Sequence, residues 1–179
     1  MLGHGENSLA ARMFGTVQEA GETVAAIAPI DFAGGTVVHI NAGIAGLVLA
    51  LIIGHSRTFM SEESKPHNVP LVMLGAALLW FGWFGFNGGS AFAADGLAGL
   101  AWINTTSAAC AALLGWLLVE KVRDKRTTSL GAASGVVAGL VTITPAAGAL
   151  TPLTSLIAGF IGGILAAFGV GLKLSLIHI

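Results

Sequence analysis

A histidine stands inside the long apolar run DFAGGTVVHINAGIAGLVLALIIG, residues 31–54. An ionisable side chain in such a run is expensive and is by default a functional candidate. This is His39, eight residues beyond Asp31, or roughly 12 Å at the helical rise. At helical spacing its neighbours are Gly35, Ala42, Gly43 and Gly46. That small face suits either a close helix contact or a narrow passage. Two roles stay open for His39, an interhelical hydrogen bond to a carbonyl or a working group in a site. Asp31 is expected to be structural, capping the start of the helix.

A second concentration lies in LLWFGWFGFNGGS, residues 78–90, where Trp83, Phe86 and Ser90 fall at i, i+3 and i+7 on one helix face, bordered by Asn87. Ring faces attract ammonium-like cations and a hydroxyl can accept one of their protons, so the face could hold a small cation. Packing explains the same stripe. A third group is Ser134 with the end of VTITPAAG, residues 141–148. It offers polar pore contacts or simple packing, and Pro145 deprives the Val141 carbonyl of its usual donor. His4, His55, His67 and His178 lack HExxH-like spacing, and Cys110 is the only cysteine. No metal, cofactor or disulfide is therefore expected. Asp31 and His39 lack a nucleophile or metal beside them, so an enzyme is not expected either.

The elements that must carry these residues follow from composition. Of 179 residues, 55% are hydrophobic and 9% charged, with a mean hydropathy of +0.86. A soluble domain is about one-quarter charged. Eight basic against nine acidic residues leave no field that would attract nucleic acid. An all-α integral membrane protein is expected. A bilayer core of about 30 Å needs about 20 apolar residues, which divides the chain into five spans at 34–54, 69–92, 97–119, 130–143 and 153–172. The fourth is short. Arg57 and Lys65 follow the first span, Lys121, Arg123, Lys125 and Arg126 the third, and Lys173 the fifth, whereas the other two loops carry no Lys or Arg. Basic loops stay cytoplasmic, so the alternation supports five crossings and puts Asp31 at the outer side. Trp102 and Trp116, roughly 21 Å apart along a helix, fit either the two interfaces or the core.

Small residues recur every four positions as Ala42, Gly46 and Ala50, as Gly131, Gly135 and Gly139, and as Gly159, Gly163, Ala167 and Gly171. Such faces require partner helices. Residues 1–30 are more polar, lack a leader-like run, and are expected to be a surface helix or disordered.

DFAGGTVVHIN (31–41), KPHNVP (65–70), GWFGFNGGS (82–90) and ASGVVAGLVTITPAAG (133–148) together resemble successive segments of the ammonium transporter (Amt/Rh) family. The resemblance implies an eleven-helix bundle, usually a homotrimer with a pore through each subunit, of which the five spans correspond to helices five to nine. It implies that His39 is the first of two pore histidines, with Trp83 beside it, that Phe86 is one of two gate phenylalanines, and that Ser90 recruits ammonium at the outer vestibule. Asp31 would be the structural carboxylate near that site, and Ser134 and Thr144 would contribute to the pore wall. Ammonium would be recruited outside, deprotonated at the gate and passed as ammonia along the histidines. The family's first four helices, the partner phenylalanine and the second histidine have no counterpart here. Residues 1–30 and the closing LSLIHI depart from the pattern. The expectation is therefore a partial chain, 31–172 with a non-native 173–179 tail, inactive alone. An alternative is a sensor module whose basic third loop engages a cytoplasmic nitrogen-regulatory protein.

Overall fold

A computed structural model describes residues 6–27, 30–54 and 66–176, with backbone only for Leu9 and residues 172–176. Arg57, Lys65, His4, His55 and His178 lie outside the described residues, as does the side chain of Lys173. The chain divides into two units, Met1–Asp31 and Phe32–Ile179.

The first unit corrects the expectation of a lone helix or disorder. Ser8 caps α1 (Leu9–Phe14) by accepting from the Ala11 N–H at 3.1 Å. Strands β1 (Thr16–Glu19) and β2 (Glu22–Ala25) then pair antiparallel with Glu19 opposite Glu22. The turn residues Ala20 and Gly21 both have positive φ, 52° and 86°, the geometry that matches strand twist in a two-residue hairpin. The local signal was the glycine at that turn. The strands themselves are short and polar, so no alternation announced them.

The second unit is helical. A π-helical turn, Gly35–Ile40, runs into α2 (Asn41–Ile53). After it come α3 (Val69–Gly89), α4 (Gly96–Arg123), α5 (Ser129–Ile143) with a 3₁₀ turn Thr144–Ala146, and α6 (Pro152–Leu176). All five helical segments are long and apolar enough to cross a membrane. Their starts follow sequence chemistry. Asn68, Asp95 and Thr128 each accept from first-turn N–H groups of the helix they precede. α3 stops at Gly89 rather than 92, where two glycines unwind it and the Ser90 N–H bonds Asn87 and Gly88 carbonyls. α4 runs four residues past the expected 119. Its added turn is held by Glu120, whose carboxylate accepts from Trp116 Nε1 (3.2 Å), Thr128 N (2.9 Å) and Thr128 Oγ1 (3.1 Å). Trp116 accordingly packs in the core.

The small-residue faces explain where the core lies. A Cβ on Gly135 would press on Leu113 and Trp116, and one on Gly139 would lie 2.6 Å from the Ala108 carbonyl oxygen. Gly159 and Gly163 abut Ala108 and Ala112 in the same way. α4 is thus clasped between α5 and α6, and close backbone approach supplies the dispersion contacts that lipid cannot replace. On α2 the same spacing has no partner among the described residues. A Cβ added at Gly43 or Gly46 would meet nothing within 4 Å, and α2 is exposed along its length.

Candidate functional site

The site forms where the π turn, α3 and the end of α5 meet. Pro145 has no N–H to continue α5, so the helix tightens into the 3₁₀ turn. The carbonyls of Pro145 and Thr144 accept instead from Phe32 N (2.8 Å) and Ala33 N (3.2 Å). Gly34 then adopts φ 88°, and Gly35 lies so close to the Pro145 ring that any Cβ would overlap it. These contacts fix the start of the π turn against α5. Gly34 holds the cap position and makes no side-chain bond. Asp31, expected to cap this helix start, precedes Gly34 by three residues.

His39, Trp83, Phe86 and Thr144 come together. The His39 ring lies 5.2 Å from Trp83 and 6.0 Å from Phe86 between centroids, and Trp83 and Phe86 meet edge to face at 5.8 Å and 89°. Thr144 Oγ1 is the hub. It lies 2.7 Å from the Leu140 carbonyl, 2.9 Å from Trp83 Nε1 and 3.3 Å from His39 Nε2. A carbonyl only accepts, so the single hydroxyl proton goes to Leu140. An indole N–H only donates, so Trp83 takes one lone pair. What remains at Thr144 is an acceptor, and His39 must therefore donate from Nε2. A neutral His39 then carries its lone pair on Nδ1. The helical neighbours read for His39 at 3.6 spacing are displaced, because the π turn winds more slowly than an α-helix.

Beside the cluster is an open cavity of about 590 Å³ lined by His39, Gly75, Leu78, Leu79, Trp83 and Phe86, with Gly82 completing the wall. Among the described residues that line it, the imidazole is the one ionisable group. Such a lining favours a small neutral molecule over a hydrated ion. Ser90 lies one turn beyond Phe86, and its hydroxyl donates to the Phe86 carbonyl at 2.8 Å, leaving its lone pairs to accept. Ser134 is not in the cluster. It is exposed on α5 and lines a neighbouring cavity of about 490 Å³ with Val72, Trp116 and Val170. Gly75 and Leu79 line both cavities.

Sequence reasoning placed Asn87 beside the aromatic face but missed its partner Thr105, and it missed Asn104 altogether. Asn87 is fully buried and donates to Thr105 Oγ1 at 3.0 Å. Asn104 ties the loop after the 3₁₀ turn by donating to Ala147 O (2.8 Å) and Leu150 O (2.6 Å). An asparagine within a 28-residue apolar helix was the available signal.

The model of the Ammonium Transporter Family matches residues 9–179, a range that takes in most of the polar N-terminal segment and the tail. An ammonium transporter of Mycobacterium tuberculosis is 55% identical over 147 residues, covering 82% of this chain and 31% of the relative. One from Bacillus subtilis is 53% identical over 150 residues, covering 84% of this chain and 37% of the relative. Among solved structures, Candida albicans Mep2 superposes with a TM-score of 0.75 at 40% identity, over 81% of this chain and 33% of that one. A structure described as Sensor Amt Protein matches with a TM-score of 0.71 at 32% identity, over 92% of this chain and 44% of that one. The chain thus spans about a third of the length of the curated relatives it matches. It is a multi-pass helical membrane protein, and it belongs to the ammonium transporter family.

Proposed function

We propose that these helices form one wall of a pathway that carries ammonium nitrogen across the membrane as neutral ammonia. The reading rests on one observation, an apolar cavity whose one ionisable group among the described residues is an imidazole oriented by Thr144. A bare charge at mid-membrane costs about 3 kcal/mol or more, so passing one proton from ammonium to water on the outer side before entry lowers the barrier to crossing. Ser90, at the end of α3, offers acceptor lone pairs to ammonium. The Phe86 and Trp83 rings attract its cationic form and exclude water beyond it. Neutral His39, held through Nε2 on Thr144, then lines the path of ammonia. Ser134 and Thr144 contribute polar contacts to the wall, Asp31 is a structural carboxylate, and the complete pathway lies in the longer, trimeric assembly.

The test is a graft. These residues replace the matching third of the Bacillus subtilis relative in a host lacking its own ammonium transporters, and methylammonium uptake is measured. The graft restores uptake, and His39→Ala or Phe86→Ala within it changes uptake by about tenfold or more. Unchanged uptake in both variants would falsify the site assignment. The likeness to Sensor Amt Protein favours a second reading, in which the last turn of α4 and the loop after it, bearing Lys121, Arg123, Lys125 and Arg126, bind a cytoplasmic regulatory protein. Co-purification lost on reversing those charges, without loss of uptake, would support it.

A further inference from the structure

The segment from Thr144 to Leu150 carries the hub of the site, and α5 holds only its front end. At Pro145 the α-helical ladder stops, and α6 does not begin until Pro152. Between them the Ala149 and Leu150 N–H groups both donate to the Ala146 carbonyl at 3.0 Å. Those bonds curl the chain without tying it to another element. A tie comes from α4. Ala101, Asn104 and Ala108 fall at i, i+3 and i+7 on one face of that helix, and all three are fully buried. The two alanines cluster with Ile143 and Ala147, and Phe32 and Leu150 pack against the cluster. From the middle of that face, Asn104 Nδ2 donates to Ala147 O at 2.8 Å and to Leu150 O at 2.6 Å. Carbonyls only accept, so the pair fixes which end of the amide is nitrogen and commits both of its protons. Neither carbonyl takes a backbone N–H among the described residues.

We infer that Asn104 is a positioning residue for the site, resting on the reading of His39 as the working group of the cavity. By pinning the Ala147 and Leu150 carbonyls to α4, it holds Thr144 and Pro145 where their carbonyls receive Ala33 and Phe32, and so sets the direction of His39. Ala147 lies three residues past Thr144, whose carbonyl accepts from Ala33 N and whose hydroxyl meets His39 Nε2 at 3.3 Å. Gly148, the next residue, lies so close to the Phe32 ring that any Cβ would overlap it. A segment that shifts off α4 therefore carries Phe32, Ala33 and the start of the π turn with it. Asn104→Leu keeps roughly the shape of the side chain and removes both donors, leaving two carbonyls without them.

The experiment is proton-detected solid-state NMR on the full chain in lipid nanodiscs. Amide exchange is followed at Phe32 and Ala33, relative to amides in the middle of α5. The contact between the His39 and Trp83 rings, 5.2 Å apart, is identified by its disappearance in Trp83→Phe. Glu120→Ala is the comparison, because it weakens the far end of α4 through Trp116 and Thr128 without touching this segment. Wild type shows contacts from the Asn104 side-chain amide to the Ala147 and Leu150 carbonyls. In Asn104→Leu the relative exchange at Phe32 and Ala33 rises about tenfold or more and the ring contact is lost, whereas Glu120→Ala changes neither. The inference is overturned if either measure keeps its wild-type value in Asn104→Leu, or if Glu120→Ala moves both as far. It is overturned on the unmutated chain, whether or not the variants fold, if the Asn104 amide contacts are absent. These spectra read geometry alone. Spectra that behave as expected beside unchanged uptake in the His39→Ala graft would sink the transport reading and leave the positioning role standing.

Discussion

Replacing Thr144 by valine isolates the hydroxyl at the hub of the site. Valine keeps the β-branched shape beside Pro145 and removes only Oγ1, a change that is not neutral in a buried position. Three contacts disappear, but they differ in cost. The Leu140 carbonyl retains the Thr144 backbone N–H, so its loss is small. His39 can move its proton to Nδ1, which avoids a stranded donor but reverses the tautomer. The Trp83 indole N–H, now 2.9 Å from Thr144 Oγ1, has no such escape. An unmade buried hydrogen bond costs about 1–3 kcal/mol in soluble proteins, and interhelical bonds within membranes average nearer 0.6 kcal/mol. The expected loss is therefore about 1 kcal/mol, from one stranded donor. Reversible unfolding in mixed micelles, followed by tryptophan fluorescence, measures it. Thr144→Ser keeps the hydroxyl and is expected to recover most of the stability. In the graft, Thr144→Val lowers uptake by more than its stability loss explains, because the His39 lone pair now faces the wrong partner. A Thr144→Val protein as stable as Thr144→Ser, with the Trp83 N–H resonance unmoved, would refute the hub.

The packing makes a paired prediction. Gly139→Ala forces a methyl against the Ala108 carbonyl and Ala109 and costs about 1–3 kcal/mol by overpacking, whereas Gly46→Ala meets nothing within 4 Å and raises helix stability slightly. Equal effects in the same unfolding assay would contradict the assignment of the core to α4, α5 and α6. At the far end of α4, Glu120→Ala strands Trp116 Nε1 and removes the acceptor beneath Thr128, for an expected cost of about 2 kcal/mol. Glu120→Gln keeps an acceptor oxygen and is expected to cost less than half of that. Asp124 lies beyond the span, and its carboxyl is held below the usual range by the hydrogen bond from Arg123. A depressed value means that the contribution is present above the ordinary aspartate pKa and fades as pH falls through the depressed one. Because the pair is exposed, acid titration of stability should show only a small, salt-sensitive component, removed by Asp124→Asn.

The spans were legible because bilayer thickness and low charge leave few alternatives, and the caps at Asn68, Asp95 and Thr128 followed ordinary helix-start chemistry. Trp83 and Phe86 were found by spacing because α3 is a regular helix. His39 was found by its cost in an apolar run, but its neighbours were misplaced, since nothing in GTVVHI announces a π turn. Ser134 shows the opposite limit. It belongs to the same quartet of family words as Thr144, yet α5 turns it onto a different face, and periodicity alone cannot say which face of α5 looks toward α3. Glu120 and Asn104 were legible only as polar residues in an apolar helix, because Thr128, Ala147 and Leu150, which they bond, lie in segments between helices whose course no local pattern fixes.

The helix core and the His39 cluster meet at Trp83, which packs against Ala109, Val136 and Leu140. The glycine-lined contacts that bury α4 between α5 and α6 involve no residue of the His39 cluster except through Thr144, at the end of α5. α2, which continues from His39, has an exposed small-residue face and no helix partner among the described residues. His39 therefore depends for its position on the anchor at Pro145. One proline ends α5, presents Thr144 as an acceptor, and leaves two carbonyls free to take Phe32 and Ala33. The start of the π turn beyond them is then fixed by Gly35 at the proline ring. An imidazole carried on a helix without a partner among the described residues is thus held toward Thr144, the direction that the proposed transfer of neutral ammonia would use.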